Sequence, residues 1–383
     1  MPSRFARRRA SSFVIAATAA AAAFATVPAV TAAARPAAPA KGWRIVKTIK
    51  VNNVHLNDLI TLPRGRAWVS GSSGTPFSHP LFYRLSKGKW VKIARPGVSG
   101  NSIFAEDISA SSDSNVWSAL ANGGAFDHWN GHAWNRVSFG TSANAAANTV
   151  LALRSNHAWA FTTDFSVDPT QETAHFFNGS FWTSQPLAGL PDSDASFDQI
   201  SASSATNAWT WAIDATTHTW EALHFNGKHW AVVPIPATLI PHHGTVTGGG
   251  GRMIAESSTN VWASVVSENL PGPMVLLHWN GTAWRRAKGH PPAGELLGPM
   301  ASDGHGGLWL YAAKPLTKAP FQKPFFVDFR HGIWTTAAAP TSPAGLVQVS
   351  AIALIPGTTS LLGAATIQSG MTNVAGVIIK FGP

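Results

Sequence analysis

Cysteine is missing from all 383 residues of the chain. Its absence excludes disulfides, thiolate nucleophiles, Cys-ligated zinc and a lipid-modified cysteine. Charge is scarce too: 12% of residues are Asp, Glu, Lys or Arg, against about 25% in an average domain. Helices need such residues on their exposed faces, so few charges together with 34 Gly and 26 Pro point to strands and loops. Tyrosine is confined to Tyr83 and Tyr311. No Ser-His-Asp order, no His-Glu-x-x-His helix and no glycine loop followed by Lys-Ser/Thr occurs, so no catalytic signature can be read.

Tryptophan, in contrast, recurs. Trp43, Trp90, Trp134, Trp182, Trp230, Trp284 and Trp334 return at a nearly constant interval, with a glycine one to three residues before. A second series, Trp68, Trp117, Trp159, Trp209, Trp262 and Trp309, interleaves with the first. Nine residues ahead of each second-series Trp stands an apolar residue: Leu59, Ile108, Val150, Ile200, Met253 and Met300. Ser, Asn and Asp fill the gap, as in Ser111-Ser112-Asp113-Ser114-Asn115, which predicts strand, tight turn, strand. Asn130-Gly131, Asn178-Gly179, Asn226-Gly227 and Asn280-Gly281 predict a type I′ hairpin before the last strand of each unit. Lys87-Gly88 and His331-Gly332 read as degenerate versions. In the second unit the strands are expected at 106–111, 115–120, 125–129 and 132–138.

A repeat of about 40–50 residues with four short strands predicts a β-propeller, whose stacked small cores also explain a length beyond one ordinary core. Six complete units fit between about 56 and 340. Residues 347–381 hold three further strands without a fourth, while Lys41-Gly42-Trp43-Arg44-Ile45-Val46 is an orphan outer strand. Joining the two gives an all-β, seven-bladed propeller of four-stranded antiparallel blades, closed by the N-terminal strand pairing with the C-terminal blade. Packing of one blade on the next is the plain role of both Trp series; stacking on a sugar is the alternative.

The first 34 residues read as a secretion signal. Arg4, Arg7, Arg8 and Arg9 precede an apolar stretch from Phe13 to Val27, and Ala32-Ala33-Ala34 supplies small residues for cleavage. Residues 35–41 form a short linker, and 42–383 a single propeller domain. The apolar run is short for a spanning helix, so an extracellular protein with no membrane span after processing is expected, by general or twin-arginine export. Formal charge is +10. Many cations flank the recurring Trp: Arg44, Lys47, Lys89, Lys92, Arg136, Lys228, Arg285 and Arg286. On outermost strands they would hinder edge-to-edge aggregation; attraction to a polyanionic envelope polymer is the other reading, ahead of nucleic acid, which is not expected.

The pattern Asn260-Val261-Trp262-Ala263, followed by His278-Trp279-Asn280-Gly281 and Trp284, resembles secreted actinobacterial β-propeller repeat proteins of the kelch-like or galactose-oxidase-central-domain-like grouping. The resemblance covers nearly everything from about 42 onward. It implies a propeller fold and an extracellular location more than any activity. The Gly-Gly doublet of kelch repeats is missing except for Gly123-Gly124, the Trp-Asp ending of WD repeats is absent, and the Ser-x-Asp-x-Gly-x-Thr-Trp box of sialidases does not occur. Galactose-oxidase copper chemistry, which needs a Cys-crosslinked Tyr, is excluded.

Four groups of residues are candidates for chemistry. Segments 71–80, 162–172, 188–197, 234–250, 267–273 and 313–324 are the long connections, where variable function belongs. Two are acidic: Asp164, Asp168 and Glu172, then Asp192, Asp194 and Asp198, able to bind Ca²⁺, to work as acid and base on a glycan, or to stay solvated. His242-His243 and Gly248-Gly249-Gly250-Gly251 read as a flexible loop. His128, His224 and His278 occupy one repeat position in three different units and so cannot share a metal ion. The residues just before the innermost strand's apolar start, Asp58, Asp107, Thr149, Gln199, Arg252 and Pro299, should face the mouth of the central channel. There they form either a polar ligand site or a hydrated rim. The expectation is a monomeric, non-enzymatic binding or scaffold protein without cofactor or metal, its partner a glycan, peptide or envelope polymer. A glycoside hydrolase or polysaccharide lyase acting through the acidic loops of units 3 and 4 is the alternative.

Overall fold

A computed structural model describes residues 42–74, 79–95, 105–120, 125–139, 145–164, 166, 171–185, 198–214, 219–240, 250–265, 275–289, 292, 295–314 and 323–383. All of them lie in the unit Pro39–Pro383. The leader, the linker, Asp168, Asp192, Asp194, His242-His243 and Gly248-Gly249 fall outside.

The first strand among the described residues is β1 (Arg44–Ile49). Blade 1 is β2 (His55–Leu62), β3 (Arg66–Ser73), β4 (His79–Ser86) and β5 (Lys89–Ile93). Blade 2 is β6 (Ala105–Ser112), β7 (Asn115–Leu120), β8 (Ala125–Trp129) and β9 (Trp134–Ser138). Blade 3 is β10 (Ala145–Arg154), β11 (His157–Asp164), β12 (Gln171–Phe177) and β13 (Trp182–Gln185). Blade 4 is β14 (Asp198–Ser204), β15 (Asn207–Asp214), β16 (Thr219–Phe225) and β17 (Trp230–Val233). Blade 5 is β18 (Gly250–Ser257), β19 (Asn260–Val265), β20 (Val275–Trp279) and β21 (Trp284–Arg286). Blade 6 is β22 (Glu295–Ser302), β23 (Leu308–Lys314), β24 (Lys323–Arg330) and β25 (Ile333–Ala338). β26 (Leu346–Leu354), β27 (Leu361–Ser369) and β28 (Thr372–Phe381) complete the chain.

Six sheets run in sequence order, and the seventh is ordered β1-β28-β27-β26. β1 therefore supplies the outermost strand of blade 7, with Arg44 opposite Lys380 and Ile49 opposite Gly376. The expected closure is what the sheets show. Trp43 anchors it: only 6% exposed, its ring stacks on Phe326 of blade 6 at 3.9 Å and meets Trp309 edge-on at 5.9 Å.

The two Trp series have a shared physical cause. The second-strand Trp of one blade meets the outer-strand Trp of the next in an edge-to-face contact, an arrangement that the ring quadrupole favours. Trp68 meets Trp134 in this way, Trp117 meets Trp182, Trp159 meets Trp230, and Trp209 meets Trp284, at interplanar angles of 78–85°. Each blade-to-blade junction is thus its own small core, and the sequence period is the junction period.

The predicted type I′ turns need correction. Gly131, Gly179, Gly227 and Gly281 carry φ of +94 to +99°, but the asparagines before them are not left-handed. Instead the Asn130 side chain accepts the N–H groups of His132 and Ala133, while its own N–H reaches Ala133 O. This wider loop sets the glycine against the neighbouring turn, where a Cβ on Gly131 would come 2.9 Å from Ser114 Cβ. The true two-residue hairpins, positive at both positions, are Lys87-Gly88 and His331-Gly332.

Candidate functional site: the mouth of the central channel

The innermost strand of each blade has no strand partner on its channel side, so its amides need other acceptors. Polar side chains from the preceding blade supply them. Asp58 Oδ2 accepts the Ile108 N–H at 3.1 Å, Asp107 Oδ2 accepts the Val150 N–H at 2.8 Å and the Thr149 hydroxyl at 2.6 Å, and Thr149 Oγ1 accepts the Ile200 N–H at 3.4 Å. A second tier lies deeper: Ser109 Oγ accepts the Ala152 N–H, and Ser201 Oγ accepts the Ala255 N–H. The position that the sequence marked as channel-facing is therefore also the clasp between neighbouring blades. Neither Arg252 nor Pro299 has a side-chain acceptor to offer, so the chain of clasps does not continue through them.

Asp58, Asp107, Arg252 and Pro299 line one cavity of about 230 Å³ at the ring centre, floored by apolar residues such as Ile108, Val150 and Met300. Asp58 and Asp107 are buried. Burial, then the charge of Asp107 and the hydrogen bond between the two carboxyls, push Asp58 well above the ordinary carboxylate range; Arg252 and the Ile108 amide pull weakly the other way. Burial and the neighbouring charge thus favour the protonated form of Asp58 beside Asp107, with the Arg252 guanidinium within electrostatic reach. Thr149 is buried in the same ring, and nothing is placed for the side chain of Gln199.

Glu106 escaped the sequence reading. It lies where the pairing of β6 with β7 slips between Ala105 and Asp107, and such a bulge breaks the two-residue alternation on which facing is judged. Burial and the charge of Asp107 raise it to about 6. An irregular step at the matching place in the other inner strands is the only sequence-independent clue.

Other candidates separate from this site. Asp164 ends β11, where its Oδ1 accepts the N–H and hydroxyl of Ser166 in a local turn. His128, His224 and His278 stack on Trp117, Trp209 and Trp262 at 4.1–4.2 Å and donate through Nε2 to Asn115, Asn207 and Asn260. They are packing residues, as one position in three blades requires. Among the described residues no group of three or more His, Asp or Glu is placed to hold a metal ion, and no helix is long and apolar enough to cross a membrane.

No protein-family profile matches the chain, and no curated protein matches it. Solved structures do. The chain is similar to a catalytically inactive virginiamycin B lyase from Staphylococcus aureus with quinupristin, at TM-score 0.61 and 9% identity over 89% of this chain and 100% of that one. It is also similar to YCF48 bound to D1 peptide, at TM-score 0.56 and 11% identity over 91% and 99%. The GH74 xyloglucanase from Xanthomonas campestris gives TM-score 0.53 and 12% identity over 86% of this chain and 54% of that one. At these identities the likeness is one of fold. Enzymes and binding proteins share it, so function must be argued from the site.

Proposed function

We propose that the chain is an exported propeller that binds a polar extracellular ligand, a glycan, peptide or envelope polymer, at the mouth of its central channel. The observation that carries this reading is the convergence of Asp58, Asp107 and Arg252 from three blades on one cavity. A carboxyl pair and a guanidinium around an apolar floor suit a ligand that bears both hydroxyl or amine and acidic groups. The clasp bonds fix the two carboxyls before any ligand arrives, so little ordering cost remains on binding. Export is supported by the charged, apolar and small-residue order of residues 1–34, and by the resemblance to secreted actinobacterial propellers of the kelch-like grouping.

The test is retention of the purified protein on a glycan array and on cell-wall fragments. Arg252→Gln should lower retention about tenfold, the worth of one charged hydrogen bond, without a change in melting temperature. Asp164→Ala should leave it unchanged. Equal retention by Arg252→Gln and wild type would refute the channel mouth as the site. A second reading, as a hydrolase or lyase, is favoured by one observation only: an Asp58 carboxyl pushed above its ordinary range by burial and by Asp107 beside it, the direction a general acid needs. Release of reducing ends from a polysaccharide panel, abolished by Asp58→Asn, would put that reading first.

A further inference from the structure

Lysine and arginine are unevenly placed around the ring. Residues 42–95 and 341–383, which build blades 7 and 1, hold eleven of them against one acid, Asp58. Residues 145–240, which build blades 3 and 4, hold two against eight acids. Protection of exposed edges does not produce this distribution. It would call for a charge on every outermost strand, yet β13 (WTSQ), β17 (WAVV) and β25 (IWTTAA) have none. Six exposed cations collect instead on three consecutive blades, while Arg285 and Arg286 of β21 stand apart on blade 5. Lys47 and Lys50 stand on and just after β1, Lys87, Lys89 and Lys92 on and beside β5, and Arg136 on β9, all exposed.

The acids nearest this surface do not cancel it. Asp113 and Asp127 of blade 2 are buried and already paired with cations from blade 1: Arg66 and Arg84 on Asp113, Arg95 on Asp127. Asp58 and Asp107 belong to the channel mouth at the opposite end of their blades' strand order, and Glu106 lies next to Asp107 on the same inner strand β6. The outer edges of blades 7, 1 and 2 are therefore a continuous positive arc.

We propose that this arc docks a linear anionic polysaccharide carrying phosphate or carboxylate groups, and so holds the protein on an envelope polymer while the channel mouth stays open. Five of the six cations are lysines, mobile point charges that follow a flexible anion rather than read a fixed planar fork. Single-stranded nucleic acid would call for exposed aromatic rings between the cations, but Trp43 and Trp134 are buried and Trp90, between Lys89 and Lys92, is half-buried. Pairing with the outer strands of a second copy's acid-rich blades is not favoured, since β13 and β17 carry no acid. A bilayer would need more apolar surface than Val46 and Val91, the exposed large apolar side chains of the arc. The proposal relies on the export reading for where the polymer is met, but not on any ligand at the channel mouth.

The experiment measures binding to poly(glycerol phosphate), polygalacturonate and neutral dextran as salt is raised. Both anionic polymers, but not dextran, should bind at low salt, with affinity falling linearly in log[salt] as counterions are released. The triple change Lys47→Glu, Lys89→Glu, Lys92→Glu should cost about tenfold or more at low salt and flatten the salt slope by about three. The blade-5 control Arg285→Glu, Arg286→Glu should stay within about twofold of wild type. Far-UV and tryptophan spectra verify folding, and Lys→Gln changes at the same positions replace any reversal that unfolds. Equal losses in both variants, tighter binding to RNA or anionic vesicles than to either polymer, or charge-dependent self-association in sedimentation would each overturn the proposal. Glycan-array retention through Arg252 is measured on the same preparations. A failure of the arc is thus distinguishable from a failure of the channel-mouth reading.

Discussion

Truncating Trp43 to Ala tests the closure of the ring, because this side chain belongs to the first strand of the domain but packs in its last junction. It is 6% exposed, lies flat on Phe326 at 3.9 Å, and closes an aromatic cluster with Trp309 and Phe381. Removing a buried Trp from such a core costs about 3–5 kcal/mol through lost transfer energy and the cavity left behind. Unfolding entropy near 2 cal/mol/K per residue makes a domain of this length lose roughly 1.4 °C per kcal/mol, so the midpoint should fall by about 4–7 °C. Trp334 occupies the same strand position in blade 6 but is only half-buried, with its Nε1 donating to Lys288 O. Its truncation should cost less than half as much. Thermal denaturation followed by tryptophan emission compares the two variants directly. A Trp43→Ala protein as stable as wild type, or a larger loss at Trp334, would mean that the first strand does not close the ring in solution.

Two further outcomes follow from buried polar groups. His175 is 4% exposed, stacks on Phe139 at 3.9 Å and meets Thr162 Oγ1 and Ser184 Oγ; burial lowers its pKa to about 4. The unfolded chain then binds the extra proton between pH 6.5 and 4, so stability is present above that window and is lost as pH falls through it. Urea midpoints across the window should show wild type losing about 3 kcal/mol more than His175→Gln. Parallel curves would refute the assignment, since the raised carboxyls of Asp58 and Glu106 act in the opposite sense in both proteins. The second outcome concerns Asp127, fully buried and held by Arg95 through bonds of 2.5 and 2.7 Å. Arg95→Met alone should cost about 3–5 kcal/mol by stranding the carboxylate, and Arg95→Met with Asp127→Leu should recover most of it in equilibrium unfolding.

The architecture was legible because six of the seven junctions repeat one requirement in one register: a Trp in the second strand and a Trp in the next blade's outer strand. Even the unpaired ends, Trp43 and residues 347–381, could be matched, since a missing strand and an extra one have complementary positions. Turn geometry was less legible. Asn-Gly is compatible with two loops, and the deciding factor is the neighbouring turn against which Gly131 and its equivalents pack, a contact between segments far apart in the period. Asp113, Asp127 and His175 were invisible for the same reason: each departs from the repeat and is explained only by a partner from another strand, such as Arg84, Arg95 or Thr162.

The channel mouth shows why finding a position differs from knowing its task. One repeat position placed Asp58, Asp107 and Arg252 together, yet the same position must also satisfy an inner-strand amide of the next blade. Asp and Thr can do this because they accept hydrogen bonds; Arg cannot. Selection for the clasp alone therefore explains Asp58, Asp107 and Thr149 but leaves Arg252 unexplained, at a place where a donor replaces an acceptor within electrostatic reach of a carboxyl pair. That asymmetry is why Arg252, rather than the more conspicuous acids, is the residue whose replacement separates a ligand site from a structural rim.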